Sequence, residues 1–294
     1  MKAALKREPA AAERPHSAVR LFHGHSGAEI AFHADGAMVR KTAASPAVNA
    51  RLLAQAKKQR QLFMLGLPFP RVLAERLDGS GRAQFDMQYL PGRSVADAVT
   101  QAAGFDPASV LKSVERMFWL FGQSCGDELP ALLFHDKIAT IAGRGGDPVR
   151  KAAAHLAACD WNGIPASPCH GDLTLENMLI TTARTIAFID CDDPWVSSYW
   201  LDFGKLFQDI DGHWCLRDLY REDAPAAQRV NAIQKLEPLA RGFRALAAQT
   251  DPTLAARLSQ LAALGLLRAV PYARDSVTVA FICRRIAALL DMPA

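Results

Sequence analysis

The residues with the clearest chemical content lie between 169 and 194. The run Cys169-His170-Gly171-Asp172-Leu173-Thr174-Leu175-Glu176-Asn177 is followed, thirteen residues after Asn177, by Asp190 in the block Ile189-Asp190-Cys191-Asp192-Asp193-Pro194. Between them two apolar runs, 178–180 and 185–189, flank the tetrapeptide TTAR, the pattern of a β-hairpin. Asp172 and Asn177 then sit on the loop entering the hairpin and Asp190 at its exit, so that all three can converge. Two carboxylates and an amide gathered in this way suit phosphoryl transfer. One carboxylate can accept the proton of an attacking hydroxyl, while the other oxygens hold the Mg2+ that bridges and neutralises nucleotide phosphates.

Such a constellation needs a frame. The 294 residues are 50% hydrophobic and 22% charged, with a mean hydropathy of +0.01. That is enough apolar material to offset the entropy of ordering, which excludes global disorder and allows one large domain or two lobes. No run of about 18 apolar residues lacks charge, so no membrane span is expected. Residues 1–17 contain no apolar stretch of secretory type and read as a flexible tail. Six scattered cysteines without CxxC or zinc-like spacing suit a reducing cytoplasm. The net charge of +4 is small, and the densest basic cluster, KKQR at 57–60, reads as a solvated helix face. Nucleic acid is therefore not an expected partner. Nothing in the pattern sets the oligomeric state.

Along the chain, 19–42 is short-period and β-like. Leu21-Phe22 leads into the bend Gly24-His25-Ser26-Gly27, residues 29–32 follow, Asp35-Gly36 is placed as a hairpin turn, and 38–41 form a third strand. A helix is expected over 45–65, with Ser45 as cap, Pro46 in the first turn, and Val48, Leu52, Ala56 and Phe63 near one face. Two more strands, 72–75 and 83–89, are joined by the LDGSG turn. The texture changes at Leu90-Pro91-Gly92. Beyond it helices are expected over 94–102, 107–126, 148–159, 199–212, 226–248, 254–269 and 276–290, interrupted by a β-rich island at 168–190. The expected class is α+β, with a small antiparallel sheet and one helix over 18–90 and a larger, mainly helical part over 91–294.

An asparagine five residues after an aspartate is also the spacing of the kinase catalytic loop. Together, HGDLTLEN and the IDCDD block resemble the aminoglycoside phosphotransferase/choline kinase superfamily, whose two-lobed, protein-kinase-like fold carries HGDxxxxN. The resemblance covers most of the chain. In the first 90 residues it rests on the hairpin ending in Val39-Arg40-Lys41 and on the hinge-like FDMQYLPG (85–92), and over the last hundred residues it is topological. It implies that Asp172 is the catalytic base, that Asn177 and Asp190 bind Mg2+, and that His170 and Asp202 support the loop. It further implies that Lys41 meets the α/β-phosphates of ATP (or GTP) and that Gly24, Ser26 and Gly27 cover the triphosphate. Met87, Gln88, Tyr89 and Leu90 would offer backbone contacts to the base. Asp193, Trp195, Tyr199 and Trp200 would either border the acceptor or, for the aromatics, join the core. Because side chains alternate along a strand, one of Arg40 and Lys41 faces inward, and Lys41 shares its parity with Val39. Two features depart from the family pattern. Residues 46–65 contain no acid to pair with Lys41, Gln55 being the nearest polar candidate, and the glycine loop lacks a full GxGxxG.

The function implied is a small-molecule kinase transferring the γ-phosphoryl of ATP (or GTP) to a small hydroxyl acceptor. Cationic acceptors such as aminoglycosides or choline need spare acid or an aromatic cage. Residues 195–294 hold ten Asp/Glu against twelve Lys/Arg, which favours a sugar or related polyol or glycan precursor. A choline- or aminoglycoside-type phosphotransferase and a nucleotide-binding pseudokinase or regulatory module are the alternatives. Protein kinase activity fits less well, because only eleven residues separate Asp190 from Asp202.

Overall fold

The computed structural model describes residues 19–23, 28–33, 37–101, 104–221 and 223–291. The expected tail, the Gly24/Ser26/Gly27 loop and the Asp35-Gly36 turn lie outside the described residues. The chain divides into two compact units. The first runs to Gly92 and includes 187–193, and the second comprises 93–186 and the chain from Pro194 onward. The sequence expectation was one cut near residue 90. Instead, a short segment from late in the chain packs with the first unit.

The first unit is an antiparallel sheet in the order β1-β2-β3-β5-β4, made of β1 (Val19–His23), β2 (Glu29–His33), β3 (Met38–Thr42), β4 (Val72–Leu77) and β5 (Ala83–Gln88). One helix, α1 (Asn49–Met64), follows a short 3-10 turn over Pro46–Val48. Leu52, Ala56, Gln59 and Leu62 recur at helical spacing and are buried; Leu52 and Ala56 pack on Ala83, Phe85 and Met87 of β5. Val48, just before the helix, and Phe63, near its end, were expected on this face but are 40% and 37% exposed. Phe63 lines a concavity with Arg71, Leu73, Gln88 and Tyr89.

The second unit is mostly helical. It contains α2 (Val95–Thr100), α3 (Pro107–Gly122), α4 (Ala131–Ala142), α5 (Asp147–Ala157), α6 (Tyr199–Ile210), α7 (Ala226–Thr250), α8 (Pro252–Ala255), α9 (Leu258–Leu267) and α10 (Ser276–Leu289). Helix α4 was not expected, although Phe134, Ile138 and Ile141 mark its buried face at i, i+4 and i+7. A small sheet, β6-β7-β8, is built from Gly92–Ser94, Met178–Thr181 and Ile186–Phe188, and its last strand carries the chain out of this unit. The β7–β8 turn closes through Arg184 N–H to Thr181 O and Thr181 N–H to Thr185 O, both 2.9 Å.

Helix α6 is buried at every one of its residues. Its closest neighbour is α9, where Gly204 and Gly265 permit the approach. A Cβ on Gly204 would come within 2.8 Å of the Leu261 carbonyl oxygen, and one on Gly265 within 2.7 Å of Gln208 Oε1. Among the described residues no helix is long and apolar enough to cross a membrane.

Candidate active site

In the second unit, the segment 170–177 is held by a polar stripe of α6. Asp202, Lys205 and Asp209 stand at i, i+3 and i+7, and so share one helical face. Asp202, 1% exposed, accepts the His170 N–H at 2.6 Å and the Gly171 N–H at 2.9 Å. Gly171 has φ +93°, a conformation only glycine reaches without strain, which accounts for the Gly between His170 and Asp172. Lys205 Nζ lies 3.1 Å from Asp172 Oδ1. Asp209, fully buried, accepts the Leu175 N–H at 2.6 Å. Leu173 and Leu175, both 0% exposed, anchor the loop into the apolar interior between these polar contacts.

Asp172 is gripped locally as well. Asn177 Nδ2 donates to the Asp172 carbonyl at 2.8 Å and to its Oδ2 at 3.1 Å, and the Asp172 N–H reaches His170 Nδ1 at 3.3 Å. His170 is fully buried beneath the loop. Burial opposes ionisation of Asp172, but the Lys205 ammonium outweighs it, with His170 and Arg268 assisting, and the carboxyl is held below its ordinary value. The result is an ionised, partly exposed carboxylate with both oxygens oriented. At Asp209 burial dominates, reinforced by the Glu176 charge, and the pKa rises to about 7.

In the first unit a second polar stripe, Arg51, Gln55 and Lys58 of α1, holds residues 190–192. Arg51 forms a forked pair with Asp192 (2.7 and 3.3 Å), and Lys58 Nζ donates to the Asp192 carbonyl at 2.6 Å. Gln55 Nε2 donates to Asp190 Oδ1 at 3.1 Å, while its Oε1 accepts from Lys41 Nζ at 3.4 Å. Lys41 itself is ion-paired with Asp190. Asp190 has φ +62°, a left-handed conformation that costs a non-glycine residue about 1 kcal/mol and is sustained by these contacts.

Lys41 and Arg40 point to opposite faces of β3. Lys41, 5% exposed, sits over the Phe85 ring at 5.9 Å, on the side where Val39 packs into the apolar cluster. Arg40 forks onto Asp86 (2.7 and 3.2 Å), which also accepts from Arg76 at 2.8 Å.

One site expectation needs correction. The backbone of 87–90 is less available than expected, because the Gln88 N–H is spent on Arg71 O and the Tyr89 N–H on Ala37 O, both near 2.9 Å. Leu90 supplies the amide that takes no backbone partner among the described residues. Of the two readings of the aromatics at 195–200, the core placement holds. Tyr199 and Trp200 are 5% and 1% exposed and pack on Phe203, with Tyr199 also on Phe118, while Trp195 sits edge-on to Phe134 of α4. Burying these rings outweighs leaving them open to a ligand. Asp193 is exposed in the first unit and takes no part in the Lys41/Gln55 cluster. Lys205 was missed by sequence reasoning, and its signal was the i, i+3 spacing from Asp202.

Comparison with known proteins agrees with this picture. The profile of the phosphotransferase enzyme family matches residues 19–248. No curated protein matches the chain. Among solved structures, aminoglycoside phosphotransferase APH(3'')-Id from Streptomyces rimosus superposes with a TM-score of 0.56 at 19% identity, covering 84% of this chain and 92% of that one. A putative fructosamine-3-kinase from Haemophilus somnus gives 0.54 at 12% identity, covering 92% and 90%. A thermostable mutant of aminoglycoside phosphotransferase APH(4)-Ia, in a ternary complex with ADP and hygromycin B, gives 0.55 at 15% identity, covering 93% of each chain. Each carries the α+β, kinase-like fold found here, and the profile spans most of the sequence: the chain belongs to the phosphotransferase enzyme family.

Proposed function

We propose that this phosphotransferase is a cytoplasmic small-molecule kinase that moves the γ-phosphoryl of ATP (or GTP) onto a hydroxyl of a sugar or related polyol or glycan precursor, using Mg2+. The observation that carries the reading is the Asp172 carboxylate, ionised by Lys205, oriented by Asn177 and left partly exposed. Asp172 accepts the acceptor's hydroxyl proton as its oxygen bonds to the γ-phosphorus and the bond to the bridging oxygen of the nucleoside diphosphate breaks.

The donor set fits Mg2+. With Nδ2 of Asn177 committed to Asp172, the amide oxygen is left for a hard cation, and Asp190 offers a carboxylate. When bound, Mg2+ held by Asn177 and Asp190 would neutralise charge on the donor phosphates. Lys41 would meet the α/β-phosphates, Gly24, Ser26 and Gly27 would cover them, and Leu90 would supply the amide that reads the base. The complex of ADP and hygromycin B in a protein of this fold supports a nucleotide donor and a small acceptor.

The charges acting on Asp172 favour a neutral or anionic acceptor over choline or a polyamine, since Lys205 and Arg268 act there as cations. The core placement of Tyr199 and Trp200 removes the cage a quaternary amine would need. The competing reading, a nucleotide-binding module without turnover, has Gln55 in place of an acidic partner of Lys41 in its favour.

A coupled nucleoside-diphosphate release screen decides between them, run with ATP and GTP, with and without Mg2+, over sugars, polyols, choline-like alcohols and aminoglycosides. Turnover is expected in the sugar and polyol arms. Nucleotide binding with no turnover in any arm would favour the module, and turnover confined to the amines would overturn the acceptor class.

A further inference from the structure

We propose that Lys205 is a positioning residue that aims the Asp172 carboxylate; the role rests on the reading of Asp172 as the base. A lysine in the middle of a helix that is buried at every residue is costly unless its ammonium has a partner. Lys205 is 8% exposed, and its ion pair is with Asp172. The other two carboxylates of the same helical stripe are committed elsewhere: Asp202 to the amides of His170 and Gly171, and Asp209 to the amide of Leu175. The stripe thus addresses the loop residue by residue. Two of its members hold backbone, and Lys205 alone reaches the side chain expected to react.

The geometry shows what this does. A carboxylate can rotate about its Cβ–Cγ bond, and Asn177 holds only Oδ2, at 3.1 Å. Lys205 holds Oδ1 at the same distance, so the two contacts fix the plane of the group. The ammonium is the more buried partner, with side-chain exposures of 11% for Lys205 and 41% for Asp172. The face turned to solvent is left for the acceptor hydroxyl. Without Lys205 the carboxylate loses its aim, and misplacement on the scale of 1 Å costs about 10²-fold in rate.

The test uses Mg2+-dependent ATP hydrolysis by the full chain, with water as the acceptor, so no identified substrate is required. Lys205→Met should lower kcat by about 10- to 100-fold while KM for ATP stays within about twofold. Lys205→Arg should recover a substantial part of the loss, since a guanidinium can still hold Oδ1. In an Asp172→Asn background, Lys205→Met should cause little further loss, because the two act as a unit. If Lys205→Met fails to fold by circular dichroism, Lys205→Gln carries the same comparison. A kcat near wild type in Lys205→Met, with Asp172→Asn inactive, would overturn the positioning role and leave the base reading intact. So would equal losses in the Arg and Met variants. Unchanged hydrolysis in Asp172→Asn would overturn the base reading and this role with it.

Discussion

Replacing Asp202 with Asn probes how the catalytic loop is held. The carboxylate accepts two backbone N–H groups, those of His170 at 2.6 Å and Gly171 at 2.9 Å, at a site 1% exposed. An amide of the same shape keeps one acceptor oxygen and turns an NH2 toward the other donor. One charge-assisted bond becomes neutral, and one buried N–H is left facing a donor. An unsatisfied buried group costs about 1–3 kcal/mol and the lost charge assistance about 1 kcal/mol more, partly offset by removing a buried charge. The net expectation is a loss of about 1–3 kcal/mol. For a cooperative unit of about 200 residues each kcal/mol is worth about 2–4 °C, so Tm should fall by about 2–12 °C. Calorimetry at fixed pH measures this, and amide exchange at His170 and Gly171 localises it, since those two protons should lose protection before the rest of the unit. Activity should fall as well, because Asp172 follows Gly171 directly. A Tm within about 1 °C of wild type together with unchanged protection at both amides would refute the reasoning, since the bonds would then contribute nothing.

Lys41→Ala should impair nucleotide KM or kcat well beyond Arg40→Ala, because Lys41 faces Asp190 and Gln55 while Arg40 is committed to Asp86; the reverse ranking in parallel steady-state kinetics would sink the assignment. Asn177→Ala and Asp190→Ala should each raise the Mg2+ concentration needed for half-maximal nucleotide binding, as each removes an oxygen ligand; unchanged titrations in both would place the cation elsewhere. Asp209 has a folded pKa of about 7 against an unfolded value near 3.9, so the folded state holds an extra proton across that window, and stability falls as pH rises from about 4 to 7. Asp209→Asn should therefore flatten the decline in Tm between pH 5.5 and 8, and parallel wild-type and variant curves would exclude this origin for the slope.

What could be read in advance followed the range of the interactions involved. Asp172 and Asn177 are five residues apart, and their contact closes within one turn of chain, so spacing alone exposed it. The inward face of Lys41 followed from strand parity once the hairpin was placed. Lys205 meets Asp172 across 33 positions, and only the folded helix brings them together; its i, i+3 relation to Asp202, already expected to support the loop, was visible but did not say which side chain it would meet. Tyr199 and Trp200 stayed open between an acceptor border and the core for the opposite reason. Aromatic clustering in sequence does not distinguish a pocket wall from a core, and Phe118 of α3 decided the matter from outside the segment. The amides of Gln88 and Tyr89 were lost to Arg71 and Ala37, partners no local pattern announced.

The segment 187–193 has a bearing on how this protein can be cut or exchanged. It joins the first unit although the chain before and after it belongs to the second. A fragment ending at Gly92 would contain every strand of the five-stranded sheet and still be incomplete. Phe69 would lose the Phe188 ring against it, Lys41 its Asp190 partner, and Arg51 and Lys58 their bonds to Asp192. The sheet and its helix are therefore not a cassette that recombination could swap between relatives by a single crossover. Inheritance must carry residues 187–193 with them, and a viable chimera needs either two crossovers or a permuted chain that makes the segment contiguous with the sheet it completes.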